Sequence, residues 1–498
     1  MNGTLLGIDA GTSNVKICAF GQDGTLRARA SRPVSLATPR PRWAELDLDR
    51  YWEAVTDALR EVIPRSGPVM GIGIATTCPL TVLLDEAGRP LRPGIPFLDT
   101  RATADVAVIG EAAGGPEAFF RLTGNRLSPS TCSAGTVRWV IREEPRVWAR
   151  TARIGFLNSF LAARLTGNVA ADWTQASYSG LFRLESANGW DGELVRIAGI
   201  PERVLPPVLR PFDRVGGVTP EVAASTGLRT GTPVAIGAAD TAAAAFALGI
   251  EAGGECFESS GTSGVITFCL DRPDFDDTFL NRCHVVPGRW LAHGAMSAPG
   301  AALAWLREKV WPDLSAPADL ERLAAASEPG ARGLVFLPYM AGERSPIWDP
   351  AANGAWIGLR LDTTRADMAR AVYEATAYGL RQILERGVER WGYRPEAMLC
   401  VGGGTRSALW LQIKADVMGI VCRAAELPDA AALGAAMLGG IAAGVYSGID
   451  DPDLPKLRAG GQEIRPGPAE RRQAYERTFA VYRTLYPALR HAMHMLAQ

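Results

Sequence analysis

Gly-Thr-Ser stands at two places in this chain, half its length apart, each time between two runs of β-forming residues. The first copy is Leu5-Leu6-Gly7-Ile8-Asp9-Ala10-Gly11-Thr12-Ser13, followed by Val15 to Phe20. The second is Ser259-Ser260-Gly261-Thr262-Ser263-Gly264, followed by Val265 to Leu270. Each copy reads strand, tight turn, strand. Such a turn sets small side chains, hydroxyls and several backbone N–H groups in a concave arc that suits phosphate oxygens. Two copies imply two similar domains facing one ligand across a cleft.

A length of 498 residues exceeds what one hydrophobic core usually supports, so two domains are expected on that ground as well. The fractions of 47% hydrophobic and 21% charged residues are those of an ordinary globular chain. A net charge of −1 gives no reason to expect nucleic acid or an anionic membrane as partner. The N-terminus enters a strand at once, without a basic-then-apolar leader. The most apolar stretch, Ala430 to Val445, is short and rich in Ala and Gly, and reads as a buried helix rather than a membrane span. The eight cysteines form no Cys-x-x-Cys pair, which suits reduced thiols in the cytoplasm. Neither these nor the four histidines suggest a transition-metal site.

Residues 5–36 read as successive β segments turned at Gln22-Asp23-Gly24. Leu48 to Ile63 is an amphipathic helix with Asp47 or Asp49 as cap. Val69 to Ala75 and Leu80 to Leu84 are strands, and 100–165 is mainly helical. Pro233 to Ala238 reads as a short strand leading through Ala239-Asp240 into a helix over Ala242 to Leu248. Gly249 to Gly254 reads as a hinge region. Helices are expected at 300–326 and 364–391, then a strand from Met398 to Val401 that runs into Gly402-Gly403-Gly404 and a helix over Ser407 to Met418.

Two acids carry the chemistry. Asp9 ends an apolar strand beside the first phosphate turn, where a carboxylate makes sense if Mg²⁺ lies between it and the phosphates. Asp240 lies at a strand's carboxyl end among small apolar residues, where α/β folds place ligands. It can take the proton of an attacking hydroxyl, cap the helix that follows, or do both. The three glycines at 402–404 let a flat ring or a phosphate approach the backbone closely, although they match neither a Walker A loop nor a dinucleotide fingerprint. Asp99 and Arg101 offer an acceptor and a forked donor, which fit either a polyhydroxylated substrate or a solvated loop pair. Trp43, Trp139 and Trp305 read as core or rim packing.

Taken in order, these segments resemble the FGGY carbohydrate kinases of the actin/hexokinase/heat-shock-chaperone ATPase superfamily. The matching stretches include Gly7-Ile8-Asp9-Ala10-Gly11-Thr12-Ser13, Trp43-Ala44-Glu45, Leu98-Asp99-Thr100-Arg101-Ala102 and Gly237-Ala238-Ala239-Asp240-Thr241. Later ones are Ser260-Gly261-Thr262-Ser263-Gly264, Leu337-Pro338-Tyr339-Met340-Ala341-Gly342-Glu343-Arg344-Ser345-Pro346 and Gly402-Gly403-Gly404-Thr405-Arg406-Ser407. The resemblance implies an α/β fold of two ribonuclease-H-like domains around a central cleft, 1–247 and 248–498. It implies ATP and Mg²⁺, with Asp240 as base and Asp9 near the metal. Gly11, Thr12, Ser13, Gly261, Thr262 and Ser263 would line the phosphates, and Gly403, Gly404 and Ser407 the adenosine. Thr77, Cys78, Asp99 and Arg101 would face the sugar together with Asp240. A homodimer is the family expectation.

The sugar is less constrained. Bacterial xylulose kinases carry a Gln-Met-His-Gly-like sequence and glycerol kinases Arg-Glu where this chain has Thr76-Thr77-Cys78-Pro79. That version is similar to some ribulose kinases, while the second half is most similar to xylulose kinases. A family lysine is replaced by Thr136. The expectation is a cytoplasmic kinase of a ketopentose such as xylulose or ribulose. The alternatives are a polyol kinase acting on an erythritol-like compound, or a sugar- or nucleotide-sensing switch of the same fold without catalysis.

Overall fold

The computed structural model describes residues 3–425, 429–457 and 461–497. In the first half, β1 (Thr4–Ala10), β2 (Asn14–Gly21) and β3 (Leu26–Pro33) form an antiparallel meander. Helix α1 (Leu48–Ser66), capped by Asp47, covers it. Beyond β1 the pairing turns parallel: β4 (Val69–Thr76) lies beside β1. The antiparallel edge strand β5 (Arg214–Gly217) joins β6 (Pro233–Ala235), which with β7 (Ala238–Ala239) pairs in parallel with β4. The expected strand at 233–238 is split in two at Gly237. Its φ of 80° is left-handed, and a Cβ there would lie 1.8 Å from the Ile74 carbonyl oxygen.

The second half repeats the plan after α2 (Asp240–Ala247). Strands β8 (Cys256–Ser260), β9 (Gly264–Leu270), β10 (Leu280–Cys283) and β11 (Trp290–Met296) pair antiparallel with one another in the order β10-β11-β9-β8. β12 (Ala397–Val401) lies parallel to β8, and β13 (Val421–Ala424) parallel to β12. Both sheets therefore set two antiparallel strands joined by a Gly-Thr-Ser turn against a parallel strand, as a duplicated unit must. Their cores are dominated by wholly buried aliphatic and aromatic side chains such as Ile8, Ile17, Ile72, Ile266 and Phe268. Burying each contributes about 1.5–3 kcal/mol.

Helix α3 (Pro299–Trp305) is shorter than the expected 300–326. It passes through one wide turn at Leu306–Val310, and a separate helix resumes at Pro317–Ala325. Pro312 and Pro317 bound the break, since neither can donate a helical hydrogen bond. The long α4 (Arg365–Trp391) and α5 (Ala408–Met418), the latter capped by Ser407, match expectation.

Helix α6 (Ala430–Ala442) is the buried small-residue helix expected there, but it packs on the first sheet although it follows the second. A Cβ on Gly73 of β4 would lie 1.8 Å from the Ala435 carbonyl oxygen, so only glycine admits the helix so closely. Packing thus crosses the chain-order division at 247. Among the described residues no helix is long and apolar enough to cross a membrane.

Candidate active site

Strand register assembles the site. Ala10 of β1 pairs with Thr76 of β4, and Thr76 pairs with Ala239 of β7. The next residues along each strand, Gly11, Thr77 and Asp240, therefore emerge together at the carboxyl end of three parallel strands of one sheet. That end is where such sheets bind ligands. In the second domain Ser259 pairs with Val401, so the turn at 261–263 and the glycines at 402–404 emerge together in the same way.

Gly261, Thr262, Gly403, Gly404 and Ser407 line one cavity of about 860 Å³. Its other walls include Trp305, Tyr373 and Trp410, which make one side aromatic and suited to a purine. Trp305, read from the sequence as packing, faces this space as well. Gly11 and Thr12 are half-buried and Ser13 exposed at the first turn, which Tyr51 steadies by donating to the Gly11 carbonyl at 3.0 Å.

Asp240 is the first residue of α2, with Ala239 as the capping position. It is half-buried, less enclosed than the small residues around it suggest. Its Oδ1 accepts from the Thr241 amide at 2.6 Å and from the Thr241 hydroxyl at 3.1 Å. Oδ2 has no hydrogen bond among the described residues, so one oxygen orients the carboxylate and the other is free for a proton.

Asp9 lies within electrostatic reach of Asp240. Burial pushes its carboxyl up to about 6, Lys16 pulls it down, and the charges of Asp240 and Asp429 push it further up. Lys16 Nζ bridges Asp9 at 3.4 Å and Asp429 at 3.3 Å, a cluster with no signal in the sequence beyond one lysine within a strand. The donors here are carboxylate oxygens, which suit a hard cation such as Mg²⁺. Among the described residues no three His, Cys, Asp or Glu side chains converge as metal ligands. A Mg²⁺ beside Asp9 would take the rest of its shell from phosphate and water, as that ion commonly does.

A carboxyl whose folded pKa lies above its unfolded value of 3.8 loses stability as pH rises through about 6. Asp9→Asn is accordingly expected to stabilise the fold on the order of 2–3 kcal/mol at pH 7 and not at all near pH 3.5. Denaturant melts of both proteins at the two pH values test this, and an equal difference at both would refute it.

Thr77 is buried and Cys78 half-buried beside Asp240, and the Cys78 thiol is pushed up to about 12, chiefly by burial. Gln175 donates to the Thr76 hydroxyl at 2.6 Å and holds this strand end. Asp99 and Arg101 form a closed pair instead of an open one. Each side chain is 1% exposed. Asp99 also accepts from the Ala44 amide, while Arg101 reaches Glu45 at 2.8 Å and stacks 3.8 Å from the Trp43 ring centre. These atoms are spent on one another and brace the loop.

A two-domain α/β fold with a Gly-Thr-Ser turn in each domain, an aromatic cavity and an acid at the sheet end defines a nucleotide-dependent phosphotransferase of the actin/hexokinase-like type. The chain belongs to the FGGY family of carbohydrate kinases. The model of that family's N-terminal domain matches residues 4–247 and that of its C-terminal domain 257–443. It is 30% identical over 494 residues to the xylulose kinase of Escherichia coli K12, covering 97% of this chain and 99% of that one. It is 26% identical to the gluconokinase of Bacillus subtilis, with 90% of each covered. The crystal structure of xylulose kinase from Rhodospirillum rubrum superposes with a TM-score of 0.87 at 33% identity, covering 99% of this chain and 100% of that one.

Proposed function

We propose that this carbohydrate kinase phosphorylates a ketopentose, xylulose or ribulose, in the cytoplasm, and that Asp240 is its general base. The observation that carries the reading is the register that brings Asp240 and the first phosphate turn to one sheet end. Asp240 Oδ2 takes the proton of a sugar hydroxyl, the hydroxyl oxygen forms a bond to the γ-phosphorus of ATP, and the bond to the β-γ bridging oxygen breaks to release ADP. The two Gly-Thr-Ser turns donate backbone N–H groups to the phosphate oxygens from opposite domains. Gly403, Gly404 and Ser407 border the adenosine, and Thr77 and Cys78 border the sugar. Asp99 and Arg101 act on the sugar by holding the loop that borders it. When bound beside Asp9, Mg²⁺ neutralises charge on the phosphates. Closure of the domains excludes water, which would otherwise take the sugar's place. A homodimer accords with the family.

The test is ADP release from MgATP across ketopentoses, aldoses, tetritols, sugar acids and glycerol. Strong turnover on a ketopentose is expected. Turnover confined to a tetritol would replace the substrate. A silent panel with intact ATP binding would favour the switch reading.

A further inference from the structure

Arg282, on β10 of the second domain, lies against Tyr178 of the first and is 4% exposed. Its Nε donates to the Tyr178 hydroxyl at 3.3 Å, and the guanidinium sits 4.3 Å from the centre of that ring. Nη1 is buried without a hydrogen-bond partner, and Nη2 also has none among the described residues. The groups around it supply little compensating charge. Burial holds the Cys78 thiol and the Tyr178 phenol at about 12, so both are neutral. His293, driven well below its usual range by burial and then by Arg282, is neutral too. The charge of Asp240 also acts on Arg282. A buried cation with idle donors is costly unless a ligand completes it. Here it lies within electrostatic reach of the residue assigned as base and of Cys78, and it comes from the opposite domain.

We propose that Arg282 is a substrate-binding residue, donating from Nη1 and Nη2 to acceptor oxygens on the same molecule whose hydroxyl meets Asp240. This rests on the assignment of Asp240 and of the small-carbohydrate site. The fork fits two sources of one chemistry: the carbonyl and neighbouring hydroxyl of a ketose, or the carboxylate of a sugar acid. Either way the substrate ties the two domains together, since Tyr178 and Cys78 belong to the first and Arg282 to the second.

Calorimetric binding and steady-state kinetics on wild type, Arg282→Met and Arg282→Lys test the assignment, with xylulose, ribulose, xylonate and gluconate as probes. The Met variant is expected to raise the KM and Kd of the accepted compound roughly tenfold or more. The KM for ATP should stay within about twofold, and Lys should restore part of the loss by keeping the charge without the fork. A preference for the acids over the ketoses identifies the carboxylate as the partner, and the reverse preference identifies the carbonyl. Unchanged sugar affinity in the Met variant would overturn the role of Arg282 and leave the kinase reading standing. Sugar and ATP affinities falling together would also overturn it, by marking a merely structural residue. If the Met variant does not fold, sugar KM in the Lys variant decides, and a wild-type value there refutes the assignment. A wild type that neither binds nor phosphorylates any probe, yet binds ATP, would remove the small-carbohydrate reading and this assignment with it.

Discussion

Asp240→Asn and Asp240→Ala should lower kcat roughly 10²–10⁴-fold while leaving ATP affinity nearly unchanged, the range expected when a general base is lost. Asn is the sharper test. It keeps the size of the side chain, and its Oδ1 can still accept from the Thr241 amide, now 2.6 Å away. The start of α2 should therefore hold its shape, and only the capacity to take a proton disappears. Ala removes the orienting contact too and lengthens the gap to the substrate. If Asp240 only stabilised the helix start, Asn would be nearly silent and Ala would act on stability. Sugar-dependent ADP release, nucleotide binding and melting temperature measured on both variants separate these cases. Turnover retained by Asn within about tenfold of wild type would remove Asp240 from the role of base.

Some of this arrangement was legible in the sequence because it depends on local chemistry. The two Gly-Thr-Ser turns, the apolar runs before them and the glycines at 402–404 announce strand-turn geometry within a few residues, and the structure has β strands at both turns. Asp240 could be picked out because an acid among alanines needs a reason. What escaped depends on distant parts of the chain. An Ala- and Gly-rich helix is apolar all round, so nothing in residues 430–442 says which sheet it will cover, and it covers the first. Asp99 and Arg101 have the composition of an open binding pair, and only the Trp43 and Trp139 rings and Glu45 show them closed. Arg282 and Lys414 are the lone basic residues of their strand and helix, a signal no stronger than that of a solvated face. Their partners lie 104 and 156 residues away in the chain.

Lys414 supports the second large prediction. It lies on α5 among Trp410, Leu411, Ile413 and Val417, and is 0% exposed. Its Nζ donates to both Glu258 oxygens at 3.0 Å and to the Ser260 hydroxyl at 2.6 Å, and lies 4.4 Å from the Trp410 ring centre. Ser260 immediately precedes the second Gly-Thr-Ser turn, and Trp410 lines the cavity proposed for the nucleotide. The buried pair thus joins the strand that feeds the turn to a helix at the edge of that cavity. Lys414→Met leaves Glu258 wholly buried without a cation and should cost about 3–5 kcal/mol of stability. Adding Glu258→Leu removes the stranded charge and should return most of that loss, because an apolar pair can replace a buried ion pair at little net cost. ATP affinity should not return with it, since neither new side chain can hold the Ser260 hydroxyl and the turn that follows. Denaturant melts and nucleotide titrations on the single and double variants give the two readouts independently. A single variant as stable as wild type would refute the energetic argument. A double variant that binds ATP like wild type would show that the pair supports the fold alone and does not position the phosphate turn.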